Sequence, residues 1–154
     1  MEIVVGFDGS GAASKALNLA KTHAKAFGAK IHLVTSLKGG PEEYQEEIAK
    51  DFVQTQKYIQ LKRGHITYQE DTDQANSNLE AAKKFVEEDG IPCEKHLLIR
   101  GLDPGEDIVQ FAEEKEPDAI FIGVLKTSKV AKFLLGSDAQ YVILHAPCPV
   151  VTVK

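Results

Sequence analysis

Residues 2–37 read EIVVGFDGSGAASKALNLAKTHAKAFGAKIHLVTSL. The stretch opens on a short β-branched run, 2–7, of the kind that suits a strand buried on both faces. The period then changes. Ala13, Ala16, Leu17, Ala20, Ala24 and Phe27 recur at helical spacing across 10–28, and Gly28 supplies the stop. A second strand-like run follows at 30–37. Strand, helix and strand in succession indicate a βαβ crossover and hence a parallel sheet.

The alternation continues beyond this unit. After Gly39-Gly40-Pro41 the chain is strongly polar to about residue 72. Ile48, Phe52, Tyr58 and Leu61 suggest at least one helix there, but 60–72 has no clean period, so 41–72 reads as a polar insertion. A helix is predicted over 72–90 with Gly90 as its end, and a strand around 94–100. The next helix, 103–118, opens on Asp-Pro and closes at Glu116-Pro117. A strand over 119–124, a helix over 137–147 and a strand over 149–154 complete the chain. The expected fold class is a three-layer α/β/α sandwich around a five-stranded parallel sheet, in a single domain covering 1–154. Repeats, low-complexity tracts and linkers are absent from the sequence.

Composition limits the function. A chain of 154 residues, 43% hydrophobic and 27% charged, can bury a core without staples. No apolar run approaches the ~18 residues of a membrane helix, so no membrane partner is expected. A net charge of −5 argues against a nucleic-acid partner. The first residues carry an acid at position 2 and no basic start, unlike a secretory leader, so the expected location is cytoplasmic. Cys93 and Cys148 are too few for a disulfide framework or a zinc site and read as small buried residues. His23, His32, His65, His96 and His145 lie on different segments without metal-ligand spacing, and no metal site is predicted.

In an open α/β sheet, ligands bind beyond the carboxyl ends of the strands, where strand order reverses. Those ends carry Phe7-Asp8-Gly9-Ser10, Thr35-Ser36, Arg100-Gly101 and Ile122-Gly123. Asp8 and the basic loop 123–137 are thereby expected on opposite walls of one crevice. Gly123 would let a ligand approach the backbone. Gly136-Ser137 opens a helix whose free N–H groups suit a phosphate. Asp8 offers an acceptor for a ribose hydroxyl or a base N–H. Together these residues read as a nucleotide crevice. Each also has a simpler reading: Ser137 as an N-cap with Asp138 on the helix dipole, Asp8 and Ser10 as caps of the first helix, and Lys126, Lys129 and Lys132 as one solvated face.

The chain resembles the universal stress protein family over nearly its whole length. The match includes GFDGS after the first strand (6–10), the glycine ending the fourth strand, and LLGSDAQYVILHAPCPVVTVK over 134–154. The resemblance implies a Rossmann-like, adenine nucleotide alpha hydrolase-like fold of strand order 3-2-1-4-5, with homodimers formed through the last strand, 149–153. It further implies ATP, with or without Mg2+, as the ligand of one branch of the family. By that likeness Asp8 holds the adenosine end, Ser36 offers backbone contacts to adenine, and Gly123, Gly136 and Ser137 line the phosphates. The family loop carries glycine at the position of Lys126. A side chain there can block a close phosphate contact, or its ammonium can offset phosphate charge. The two readings stay open.

Enzyme signatures are few. The chain has no Gly-x4-Gly-Lys-Ser/Thr loop and no Gly-x-Ser-x-Gly elbow. His145, near a helix end, reads as a dipole partner or packed imidazole. The expected function is a stress-response sensor or regulator that binds adenine nucleotide, with slow ATP hydrolysis at most. The alternative is a dimeric interaction module of the same fold without nucleotide.

Overall fold

The computed structural model describes residues 1–37, 55–124 and 136–154, and of 55–69 only the helical backbone. Strands β1 (Glu2–Gly6), β2 (Lys30–Ser36), β3 (Cys93–Leu98), β4 (Ala119–Gly123) and β5 (Val150–Val153) alternate with helices α1 (Gly11–Phe27), α2 (Thr55–Glu87), α3 (Pro104–Lys115) and α4 (Ser137–His145). The strands form one sheet of order β3-β2-β1-β4-β5, parallel at each of its four pairings. The expected fold class and strand order are therefore observed.

Register explains why the strands carry apolar residues on both sides. Val5 pairs with Leu33 on one neighbour and with Phe121 on the other. Side chains alternate across a strand, so Ile3, Val5, Ile31, Leu33 and Phe121 face one layer. There they join Leu17, Ala20 and Ala24 of α1 and Leu79, Ala82 and Val86 of α2. Val4, Val34, Ile120 and Ile122 face the other layer, against Ile108, Phe111 and Ala112 of α3 and Val142 of α4. Two-sided covering is the condition under which a parallel sheet is stable.

Helix boundaries follow local chemistry. Ser10 Oγ accepts the Ala13 N–H at 3.1 Å, an N-cap for α1. Gly28 ends α1 in the left-handed region at φ 67°, where a glycine carries no steric penalty. Pro104 stands in the first turn of α3 after Asp103, as the Asp-Pro signal implied.

The third helix of the sequence reading is corrected. It was expected over 72–90, but α2 begins at Thr55 and reaches Glu87. Its buried contacts among the fully described residues, Ala75, Leu79, Ala82 and Val86, keep the 4-3-4 spacing of one apolar stripe. Upstream of them the apolar period lapses while the backbone hydrogen-bond ladder continues, so a period-based reading ends too late. The rest of the 41–72 stretch, before Thr55, lies outside the described residues. Among the described residues, no helix is long and apolar enough to cross a membrane.

Both cysteines are free, Cys93 buried and Cys148 half-buried. Burial pushes the Cys93 thiol up to about 12 and raises that of Cys148 as well. Neither is an activated nucleophile.

Three outcomes follow. Leu79→Ala should cost about 2–5 kcal/mol in denaturant unfolding through the cavity left under α2. Phe27→Ala, at a side chain 64% exposed, should stay within about 0.5 kcal/mol. Alkylation of the native protein at pH 8, read by mass spectrometry, should label Cys148 slowly and Cys93 only after unfolding.

Candidate functional site

The carboxyl end of β1 is pinned before it turns. The Phe7 N–H donates to the Val34 carbonyl at 2.8 Å, and Thr35 Oγ1 donates to the Phe7 carbonyl. Gly9 then takes φ 81°, so the turn favours glycine by conformation; a Cβ there would also crowd the Asn78 amide at 2.6 Å, which the side chain could relieve by moving. Asp8 Oδ1 accepts the Ser10 N–H at 2.9 Å. That bond fixes the carboxylate through one oxygen. The first-helix capping role and the site role of Asp8 are thus compatible.

Beyond the strand ends lies a cavity of about 200 Å³. Asp8, Ser36 and Gly123 line it together, as the sequence placed them. Its apolar walls come from Val34, Ile108, Ile122 and Val142, the even-numbered strand face and the two helices covering it. Sequence reasoning missed these wall residues; the alternation within 30–37 and 119–124 was the available signal. Gly136 and Ser137 stand at the start of α4, whose next residues, Asp138 and Ala139, line the cavity. Lys126 lies outside the described residues.

Ser36 carries a contact that the sequence did not announce. Its hydroxyl donates to Asp107 Oδ2 at 2.7 Å, and Asp107, fully buried, receives Arg100 Nε at 2.6 Å on its other oxygen. Arg100 Nη1 also reaches Glu114 Oε1 at 2.7 Å. Burial works against the Arg100 charge, but the bonds to Asp107 and Glu114 more than offset it and raise its pKa. A buried carboxylate is tolerated here because it is both ion-paired and hydrogen-bonded. The network ties the end of β2 to α3 beneath the cavity.

Two expectations for the opposite wall change. The N-cap of α4 is Gly136, without a side-chain cap bond, and Ser137 is the first helical residue. Asp138 does not only serve its own helix: its Oδ1 accepts the Gly105 N–H of α3 at 3.0 Å. A Cβ on Gly105 would meet the Asp138 backbone at 2.8 Å, so the two helix starts are in contact. Gly123 also has a reason other than ligand access. A Cβ there would fall 2.4 Å from the Ala12 carbonyl carbon and 2.5 Å from the Ala13 nitrogen. Glycine lets the start of α1 close on β4.

The histidines, read from the sequence as scattered, are partly regrouped by the sheet. His32 pairs with Glu94, and Val34 with His96, in the β2–β3 register, which brings both imidazoles to one face. Burial, then the neighbouring His32, holds the His96 pKa below the ordinary imidazole value. His145, read as a dipole partner or a packed imidazole, is exposed in the last turn of α4, its ring tilted 4.3 Å from Tyr141 between centroids.

An open parallel α/β sheet with an acid and a helix start facing across its strand-order reversal defines a class of crevice-binding proteins. Residues 1–154 match the model of the Universal stress protein family, and the chain belongs to that family. It is similar to a universal stress protein of Thermus aquaticus, 31% identical over 99% of this chain and 97% of that one. It is also similar to the solved universal stress protein from Archaeoglobus fulgidus, at 34% identity and TM-score 0.74, covering 100% of this chain and 93% of that one. A further Archaeoglobus fulgidus structure, the universal stress protein in complex with dAMP, is 32% identical with TM-score 0.70, covering 100% and 98%.

Removing Arg100 should leave the fully buried Asp107 carboxylate without its ion-pair partner. Arg100→Ala is expected to cost about 3–5 kcal/mol in equilibrium unfolding, and Ser36→Ala about 1–3 kcal/mol through the hydrogen bond lost to a charged group.

Proposed function

We propose that the chain binds an adenine nucleotide, ATP foremost, between Asp8 and the segment 123–137, and acts as a stress-response sensor whose state follows the nucleotide. The observation that carries this reading is the cavity shared by Asp8, Ser36 and Gly123 at the carboxyl ends of the strands. A universal stress protein relative in complex with dAMP supports the ligand class. About 200 Å³ is below the ~300–1,000 Å³ of drug-sized ligand sites, so it suits the nucleoside portion rather than a whole triphosphate. Asp8, held by the Ser10 N–H through Oδ1, has Oδ2 for a ribose hydroxyl. Ser36 gives its hydroxyl to Asp107 and serves adenine through its backbone.

The phosphates belong beside Gly123, Gly136 and Ser137, where the first N–H groups of α4 lack a side-chain cap. Lys126 would offset their charge, with Mg2+ as the accompanying ion. Among the described residues lining the cavity, the carboxylates Asp8 and Asp138 are each held by a backbone N–H, so the expected hydrolysis is slow at most. The protein works in the cytoplasm as one domain. It pairs as a homodimer through 149–153, since β5 ends the strand order and a bare strand edge invites a partner.

A second reading, an interaction module of the same fold without nucleotide, is favoured by Asp138, whose carboxylate brings negative charge to the cavity wall, and by lysine at position 126.

The test is to denature freshly purified protein, chromatograph the released small molecules, and titrate ATP into wild type, Asp8→Ala and Lys126→Gly. Bound adenine nucleotide and binding about tenfold or more weaker in Asp8→Ala are expected, since a hydrogen bond to a charged group contributes about 1.5–3 kcal/mol. Weaker binding in Lys126→Gly would make the lysine a phosphate ligand. No nucleotide and no binding by wild type, with binding gained by Lys126→Gly, would favour the second reading.

A further inference from the structure

Beside the crevice, toward the amino ends of the strands, three donors converge across β2 and β3. His32 Nδ1 lies 3.0 Å from His96 Nε2 and 3.6 Å from Glu94 Oε2. His96 Nε2 lies 3.7 Å from the same Glu94 oxygen. All three ligand atoms fall within 4.8 Å of one another. A tetrahedral zinc ion with ~2.0–2.1 Å bonds to nitrogen and ~2.0–2.2 Å bonds to oxygen separates its ligands by about 3.4 Å. The observed triangle is close to one face of that tetrahedron.

The surroundings select between a metal and a simple imidazole pair. His32 is 2% exposed, and its Nε2 makes no hydrogen bond among the described residues. Buried polar atoms left without a partner are rare. A hydrogen bond between the two rings would use Nδ1 of His32 and Nε2 of His96. It would leave Glu94 Oε2, 3.6 Å from His32 Nδ1 and 3.7 Å from His96 Nε2, without a bond to either ring. Coordination through Nδ1 instead fixes the proton of His32 on Nε2, and Glu2 Oε2 stands 3.4 Å from that atom. With a metal on Nδ1, closing this 3.4 Å separation into a hydrogen bond would complete the carboxylate–histidine–metal relay that orients metal-bound imidazoles. Lys30 Nζ holds the other oxygen of Glu94 at 2.5 Å, which turns Oε2 toward the histidines. Phe111 of α3 closes the site from above, 4.7 Å from the His96 ring and 6.1 Å from the His32 ring between centroids. Entry is from the side of β3, the end strand of the sheet, where Glu94 is about half exposed and His96 about one fifth.

We propose that His32 Nδ1, His96 Nε2 and Glu94 Oε2 form a binding site for a divalent transition-metal ion, Zn2+ foremost, with Glu2 orienting His32. Two imidazoles and a carboxylate are a donor set for zinc rather than for Ca2+ or Mg2+, which prefer all-oxygen sites. Three protein donors leave a fourth position for water. The site shares no residue with the crevice, although Val34, the register partner of His96, lines it.

The full chain, stripped of metal by dialysis against chelator, is titrated with ZnCl2 in competition with a chromophoric chelator. One zinc per chain is expected for wild type. His96→Ala should bind about 100-fold or more weakly and Glu94→Gln at least about tenfold more weakly. Glu2→Gln should lose about tenfold, as for the outer partner of a metal-bound histidine. His145→Ala and Asp8→Ala should match wild type. Thermal melts without metal establish that each variant is folded, and CoCl2 should give the intense visible absorption of a tetrahedral site in wild type and not in His96→Ala. Failure of folded wild type to take zinc from the chelator would overturn the proposal. So would zinc affinity equal in wild type, His96→Ala and Glu94→Gln.

Discussion

The structure depends on a sheet covered on both faces. Parallel strands pair by evenly spaced, slanted hydrogen bonds and must be joined by crossovers, which places helices over both surfaces. Val4 and Val5 show the consequence within one dipeptide: consecutive residues, both fully buried, belong to different cores. Once helices cover both faces, the strand ends remain as the places where polar side chains meet solvent. The crevice occupies the carboxyl ends, while the histidine cluster lies on the α3 face of β2 and β3, with His32 buried.

At the carboxyl end, close backbone approach sets the geometry. Gly123 admits the first turn of α1, and Gly105 admits Asp138 at the start of α4. The helix starts therefore gather around the cavity instead of being held off by side chains. Asp107 ties β2 to α3 at the same end through Ser36 and Arg100. Its burial is tolerated because both partners satisfy the carboxylate.

Much of this was legible in the chain. The period change between 2–7 and 10–28, and its repetition, specified the strands and their parallel arrangement. Asp8, Ser36 and Gly123 were placed at one crevice because strand ends in such a sheet have a fixed location. The start of α2 was not legible, because a helix maintained by its own backbone bonds need not show an apolar stripe in every turn. Asp107 was also hidden: in sequence it is one more acid in the first turn of a helix, where acids are common. Ser137 read as a cap although Gly136 holds that position, since a helix boundary shifts by a residue without altering the motif.

The sequence by itself determined element types, their parallel arrangement and the ligand end of the sheet, because these follow from local periodicity and chain connectivity; the strand order came from the family resemblance. Tertiary structure alone decided which residues separated along the chain meet. His32 and His96 are 64 positions apart, and only the β2–β3 register, which pairs His32 with Glu94, sets both rings beside one carboxylate. The purpose of Gly123 was decided in the same way, by a backbone more than a hundred residues earlier that leaves no room for a Cβ. Contacts of this kind come from packing between segments, and no local pattern encodes them.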